Sequence, residues 1–315
     1  MNFTLNKVVN LYKPPGPTSF TLVRRVQKRV QAKKAGHIGT LDPMAEGVLP
    51  VCLNRATRII QFMTHLPKVY LAEMRLGLVT DTQDRTGTVL ESRDPGGVTE
   101  NAVREVLAAF EGPQEQVPPM YSAKKKNGIP LYKLARNGIT VSRDPVPIRV
   151  HRLEFLEKKG DRVVFRVQCS AGTYIRTLCH DMGARLNCGA HLTRLVRERV
   201  GPFHQDSALT LDALDRAWTE GSLPEKLLEP DQALEFLPEI QVKPEGILPI
   251  AHGRAILKGT LDSWPGNFQP GMTLRVTRAG GGLVALAEPV TDAPGVDRMH
   301  PEEVAFKLKR VLIEP

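Results

Sequence analysis

The sequence predicts an α+β fold, and three observations carry that prediction. Stretches with apolar residues every three to four positions read as helices and stand between stretches that alternate apolar and polar as strands do. These segments lack the regular β-α-β-α order of a parallel doubly wound sheet. Beyond residue 236 the composition turns rich in glycine and proline, which suits short strands and tight turns.

Residues 18–32, TSFTLVRRVQKRVQA, read as a helix with Leu22, Val23, Val26 and Val30 on one stripe and Thr18 or Ser19 as its N-cap. Its other faces carry Arg24, Arg25, Lys28 and Arg29, either a plain solvated surface or a track for phosphates. Residues 68–79 alternate as a strand with Tyr70, Ala72, Met74 and Leu76 on one side. Residues 99–111 form a helix with Val103, Val106, Leu107 and Phe110 inward, stopped by Gly112-Pro113. Residues 148–157 and 162–169 pair as a hairpin about Gly160-Asp161, and 173–187 form a further helix. The acidic stretch 205–245 contains the helical LTLDALDRAW and reads as a bridge to a small module with strands at MTLRVTRAG and GLVALAEPV. This divides the chain into residues 1–236 and 237–315.

Of 315 residues, 41% are hydrophobic and 24% charged, the balance of an ordinary globular protein. No apolar run reaches the ~20 residues that span a bilayer. The N-terminal residues lack a secretory pattern, so the expected location is the cytoplasm with no membrane contact. Cys52, Cys169, Cys179 and Cys188 form no C-x-x-C pair and read as reduced, buried thiols. His180-Asp181 lacks a third ligand at suitable spacing, so no metal is expected. The net charge of +9 is segregated: residues 1–70 hold 11 Lys/Arg against 2 acids, and 120–152 hold 8 against 1. Residues 205–245 reverse this, with 3 against 10. Segregated basic surfaces suit a polyanionic partner, RNA or DNA.

The sharpest chemistry lies in residues 36–50, GHIGTLDPMAEGVLP, which Gly36, Gly39, Gly47, Pro43 and Pro50 mark as mostly loop or tight turn. A carboxylate on such a loop meets a ligand closely, because glycine removes side-chain bulk. Asp42 is therefore a candidate catalytic acid, against the plain alternative that Asp-Pro only opens a turn. Glu46 and Asp84 are further loop acids placed to line a cleft.

The string G-H-x-G-x-L-D-P-x-A-x-G-V-L resembles the bacterial tRNA pseudouridine-55 synthase family. The likeness extends to Lys13-Pro14 with Gly16 and Thr18-Ser19, and to Val117-Pro118-Pro119-x-Tyr121-Ser122-Ala123 with Lys125, Gly128, Tyr132, Ala135-Arg136 and Gly138. It continues through Cys169-Ser170-x-Gly172-Thr173-Tyr174-Ile175-Arg176 and Gly189-Ala190-His191-Leu192 leading to Leu195 and Arg197. The resemblance implies a pseudouridine-synthase fold with a central mixed sheet, an RNA-clasping insertion at about 113–147 and a small PUA-like RNA-binding module at the C-terminus. It implies isomerisation of the T-loop uridine of tRNA without a cofactor, after the stacked base is flipped out.

The roles the resemblance implies are specific. Asp42 is the essential carboxylate, acting on the sugar, on the base or on the sugar's 2′ proton, and Arg176 pairs with it. A guanidinium beside Asp42 is expected to lower its pKa and keep it ionised. Tyr70 stacks on the flipped base, unless it is only a core aromatic of its strand. His37 packs against the T-loop, unless it only hydrogen-bonds backbone. Tyr174 and Leu195 line the pocket, and Lys13 supports its floor rather than lying exposed. Lys124, Lys125, Lys126, Lys133 and Arg136 face phosphates from the insertion. The partner is then the T-arm of tRNA, for which a monomer suffices. A synthase that works inside a guide-RNA particle, and a non-catalytic RNA-folding module on the same scaffold, are the alternatives. The P-M-A-E-G-V-L-P continuation and the presence of Asp42, Tyr70 and Arg176 favour the stand-alone enzyme.

Overall fold

The structure is a computed structural model that describes residues 5–314. Its larger sheet has nine strands. They are β1 (Val8–Lys13), β2 (Ala35–His37), β3 (Glu46–Leu53), β4 (Lys68–Leu76), β7 (Gly112–Gln116), β10 (Val146–Lys159), β11 (Arg162–Cys169), β12 (Ala190–Val200) and β13 (Phe203–His204). The hairpins β5–β6 (Leu78–Thr80, Val89–Ser92) and β8–β9 (Lys125–Lys126, Ile129–Pro130) stand apart from it. The strand order is β1-β3-β12-β4-β11-β10-β7, with β2 on β3 and β13 on β12. Only β3 and β12 run parallel; the other pairs are antiparallel, so the sheet is mixed and the class is α+β as the sequence implied.

The helices form where the periodicity placed them. α1 (Ser19–Arg29) buries Leu22, Val23 and Val26, and the Thr18 hydroxyl caps it by accepting from Thr21 N at 3.1 Å. α2 (Glu100–Ala109) is capped by Thr99, and α4 (Ile175–Arg185) places Leu178, Cys179 and Met182 against the sheet. β4 alternates as expected, with Tyr70, Ala72, Met74 and Leu76 buried on one face. The main core lies between that face and α2 and α4, centred on Phe165, Val167 and Met74. The insertion leaves the sheet between the adjacent strands β7 and β10 and carries the short helix α3 (Leu131–Arg136).

The 36–50 segment is mostly turn, as its glycines and prolines implied: β2 and β3 hold only its ends, and residues 38–45 between them are irregular. One expectation needs correction. The acidic stretch is not a bridge. Its helix α5 (Leu211–Thr219) packs Leu214 and Ala217 into a core with β1 and α1. Asp215 there pairs with Arg29 at 2.8 Å and Arg25 at 3.2 Å, so these two arginines of α1 serve the fold. Arg24 and Lys28 stay exposed.

After α6 (Pro230–Ala233) comes a second, six-stranded sheet. Its strands are β14 (Glu239–Val242), β15 (Ile256–Leu257), β16 (Leu261–Ser263), β17 (Leu274–Arg278), β18 (Leu283–Pro289) and β19 (Val304–Val311), with α7 (Pro244–Ala251) and α8 (Ala293–Asp297) between them. It has its own core around Phe268 and Phe306. Leu286 of β18, however, is buried with Val8, Ile38, Ile59 and Phe203 of the first sheet's side. All four cysteines are buried free thiols. Among the described residues no helix is long and apolar enough to cross a membrane.

Gly47 shows how closely β3 and β12 meet. Its φ is +109°, and a Cβ there would lie 2.3 Å from the Arg197 carbonyl oxygen. Gly47→Ala is expected to cost about 1–3 kcal/mol through that clash and the left-handed backbone, read as a lower urea midpoint; an unchanged midpoint would refute the close packing.

Candidate active site

Asp42 sits in the turn between β2 and β3, and the chain fastens that turn from three sides. Lys13, fully buried at the end of β1, donates its ammonium protons to the carbonyls of Pro14 (2.9 Å), Pro43 (3.0 Å) and Ala45 (2.6 Å). Gly16 N donates to the Pro43 carbonyl at 2.8 Å. The Ser19 hydroxyl, at the start of α1, accepts from Leu41 N at 2.9 Å and donates back to Leu41 O at 3.1 Å. β12 holds the far side, where Arg197 donates from Nε to Val48 O (2.7 Å) and from Nη2 to Gly39 O (2.9 Å). The K-P-x-G, T-S and Leu195-x-Arg197 segments thus converge on one loop.

Arg176 projects from the first turn of α4 and meets Asp42 with two nitrogens, Nε to Oδ2 at 2.8 Å and Nη2 to Oδ1 at 3.3 Å. Its remaining donors reach Thr82 O and Tyr121 O, both at 2.9 Å. Nη1 also lies 3.5 Å from Oδ2 of Asp84, a buried acid that accepts from Thr82 Oγ1, Thr86 N and Thr86 Oγ1. The guanidinium is 4% exposed, while Asp42 keeps 35% of its side-chain surface. Burial pushes the Asp42 carboxyl above its ordinary range and Asp84 adds to that, while Arg176 and, more weakly, Lys13 pull it down. The expected pull of Arg176 is present, but burial outweighs it.

These groups open on a cavity of about 840 Å³. Asp42, Arg176, Tyr70, Tyr174, Leu195 and Arg136 all line it. Tyr70 stands opposite Arg197 across the β4–β12 pair. Burial raises the Tyr70 pKa, and the Arg197 guanidinium offsets only part of that rise. Gln116 brackets the backbone of Tyr174, accepting from its N–H at 2.8 Å and donating to its carbonyl at 3.0 Å. Lys13 lies beneath the loop as a support. His37, half-buried on β2 opposite Val51, is outside the cavity lining; burial and Arg197 lower its pKa, so its ring is neutral at pH 7. Lys124, Lys125 and Lys133 are exposed on the insertion and also lie outside the lining. Glu46 is engaged by Tyr12 and Arg194 on the strands. Among the described residues no cluster of three or more metal-ligating side chains forms.

Sequence reasoning gave no role to Lys68 and Arg197, which line the same cavity, nor to the Gln116 bracket. Their residue types on a strand looked like solvated basic and polar positions; only the fold turns them inward.

Two domain families match the chain. Residues 27–175 match the TruB family pseudouridylate synthase (N terminal domain), and 176–235 match the tRNA pseudouridylate synthase B C-terminal domain. A tRNA pseudouridine synthase B of Syntrophotalea carbinolica is 43% identical over 89% of this chain and 90% of its own. One from Thermotoga maritima is 41% identical over 93% of each. The chain belongs to the TruB family of pseudouridine synthases. Among solved structures, a Cbf5-Nop10-Gar1 complex matches with TM-score 0.80 at 30% identity, covering 98% of this chain and 85% of that one. An H/ACA RNP bound to a substrate RNA containing 2′-deoxyuridine matches at 0.79 and 29%, over 98% and 85%. Together they establish the enzyme's fold and isomerase class.

Replacing Arg176 with methionine leaves Asp42 and Asp84 facing each other unneutralised. Breaking a buried pair costs about 3–5 kcal/mol, less here because Asp42 is one-third exposed. The variant's Asp42, already raised by burial and now without its cation, holds its proton more tightly in the folded than in the unfolded state. The deficit is therefore largest above its folded pKa and shrinks as pH falls through it. Urea midpoints of both proteins from pH 8 to 5 should converge; parallel curves would refute the charge argument.

Proposed function

We propose that the enzyme isomerises uridine 55, in the T-loop of tRNA, to pseudouridine, with Asp42 as the carboxylate that acts on the flipped nucleotide. The observation that carries this reading is the Asp42–Arg176 pair at the cavity with the Tyr70 ring beside it. It occurs in a chain 41–43% identical to tRNA pseudouridine synthase B enzymes over most of its length. The reaction breaks C1′–N1 and forms C1′–C5; C5 gives up its proton and N1 gains one. No electrons enter or leave, so no redox cofactor is needed. Asp42 as nucleophile or base must be ionised, and the two-point contact with Arg176 fixes which lone pairs face the cavity. Tyr70, kept neutral by burial, offers its ring face for stacking rather than a base.

In this reading residues 1–236 are the catalytic domain. The insertion clasps the T-arm, with Lys124, Lys125, Lys133 and Arg136 exposed toward phosphates. His37 contacts the T-loop from the cleft's edge. Residues 237–315 are a PUA-like RNA-binding module, supported by the separate six-stranded sheet and by exposed Arg254, Arg278 and Lys307. The enzyme acts in the cytoplasm as a monomer, and its buried free thiols fit that compartment. Guide-particle action is less favoured: the Cbf5 structures are about 30% identical, below the tRNA enzymes.

Tritium at C5 of an unmodified tRNA transcript is lost on each turnover. Asp42→Asn should release it about 10²–10⁴-fold more slowly while still binding the RNA. Release from wild type without added guide RNA or metal is required, and its absence would overturn the reading. The single-turnover rate of wild type should fall as pH drops toward the raised Asp42 pKa, with the acid limb above the ordinary carboxylate range; an acid limb at or below pH 4 would contradict it.

A further inference from the structure

The cavity's charges are unevenly paired. Around Asp42 each charge has an opposite neighbour: Arg176 touches two carboxylates, and Lys13 faces Asp42. The same cavity is lined by Lys68, 5% exposed, and Arg197, 1% exposed. A buried charge is ordinarily paired, yet neither has a carboxylate partner among the described residues. The charged or titratable groups near Lys68 are Arg197 and Cys169, and those near Arg197 include Tyr70, Lys13 and His37. None is an anion at neutral pH, because burial pushes the Cys169 thiol to about 11 and raises Tyr70 as well.

The two cations also repel each other. Burial, with Arg197 beside it, lowers the Lys68 pKa to about 8. The Lys68 ammonium donates to Thr64 O at 2.9 Å and Leu66 O at 2.6 Å, which leaves one of its three protons uncommitted. Lys68 stands two residues before Tyr70 on the same buried face of β4, and Arg197 stands opposite Tyr70 on β12. Both line the cavity beside Gly39, Thr40 and Thr64. An empty protein that keeps two such charges together gives up stability, the usual mark of a site that awaits its counter-ion.

We infer that Lys68 and Arg197 seat one backbone phosphate of the RNA, the one flanking the nucleotide that enters the cavity. This deepens the RNA-substrate reading and rests on it. Each nucleotide entering the cavity brings one phosphate monoanion, which supplies the missing charge. An ammonium beside a planar guanidinium suits phosphate oxygens. With the phosphate held by these two side chains in the cavity that Asp42 lines, the seat sets how far the strand enters and which nucleotide reaches the carboxylate.

The competing role is a staple, in which Lys68 only ties the Thr64 and Leu66 carbonyls. Binding of full-length protein to unmodified tRNA transcript at several salt concentrations separates the two. Lys68→Met should weaken binding about tenfold and reduce the slope of log K against log salt by about 0.7–1, without lowering Tm; Lys68→Arg should keep the slope. A lower Tm with unchanged affinity and slope would make Lys68 a staple and overturn the inference. A second measurement needs only wild type. In a T-arm stem-loop with single methylphosphonates at the phosphates flanking the target uridine, one neutral linkage should weaken binding. If none does, the seat does not exist, even though turnover of the unmodified RNA would leave the substrate reading intact. Wild type that neither binds nor converts the transcript would sink that reading itself.

Discussion

The cleft depends on one buried guanidinium. Arg176 joins four stretches that are far apart in sequence: the Asp42 turn, the segment of Thr82 and Asp84, the insertion at Tyr121 and its own helix α4. A planar fork with five donors meets two carboxylates and two carbonyls at once, which the single head of a lysine cannot do. Burial decides the chemistry. It raises the Asp42 pKa more than Arg176 lowers it, Asp84 adds to the rise, and Lys13 offsets it only weakly. Asp42 is therefore held in position strongly but kept ionised only weakly. A carboxylate poised that way is a better proton acceptor than one locked at low pKa.

The turn that carries Asp42 is rigid for a related reason. Its peptide groups would be costly to leave unpaired beneath a cavity, and the chain satisfies them with buried side chains rather than with more sheet. Lys13, Ser19 and Arg197 each spend their donors on carbonyls of the 39–48 segment. Gly47 lets β12 approach close enough for Arg197 to reach.

What the sequence made legible follows from locality. The Thr18 cap, the alternation of β4 and the buried stripe of α4 are patterns within a few residues, and the structure reproduces them. The grouping of Asp42, Arg176, Tyr70, Tyr174 and Leu195 was legible only through family resemblance, because nothing local links positions 134 residues apart. Arg25 and Arg29 looked free for RNA until Asp215, 190 and 186 residues away, met them. Lys68 was invisible as a site residue because a basic residue on a strand is usually a wet one, and Arg197 entered only as a motif match without a role. The second sheet's shared core around Leu286 was equally hidden, since an alternating strand does not say what covers its buried side.

The pairing pattern also says where the net charge of +9 can act. The face of β4 opposite Tyr70 is crowded with arginines, and several of these are neutralised in place. Arg166 is held by Glu154 and Glu198, Arg162 by Glu73, and Arg75 by Asp161. α5 likewise quiets half of the basic face of α1. The cations without a carboxylate partner among the described residues include Arg24 and Lys28, the exposed lysines of the insertion, Arg254 and Lys307 of the second sheet, and the buried pair inside the cleft. Because exposed charges act only over about 10 Å at ordinary ionic strength, the far face of the sheet presents little net attraction to a polyanion. A polyanion is drawn instead to unpaired cations, and three of these, Lys68, Arg136 and Arg197, line the cavity onto which Asp42 opens.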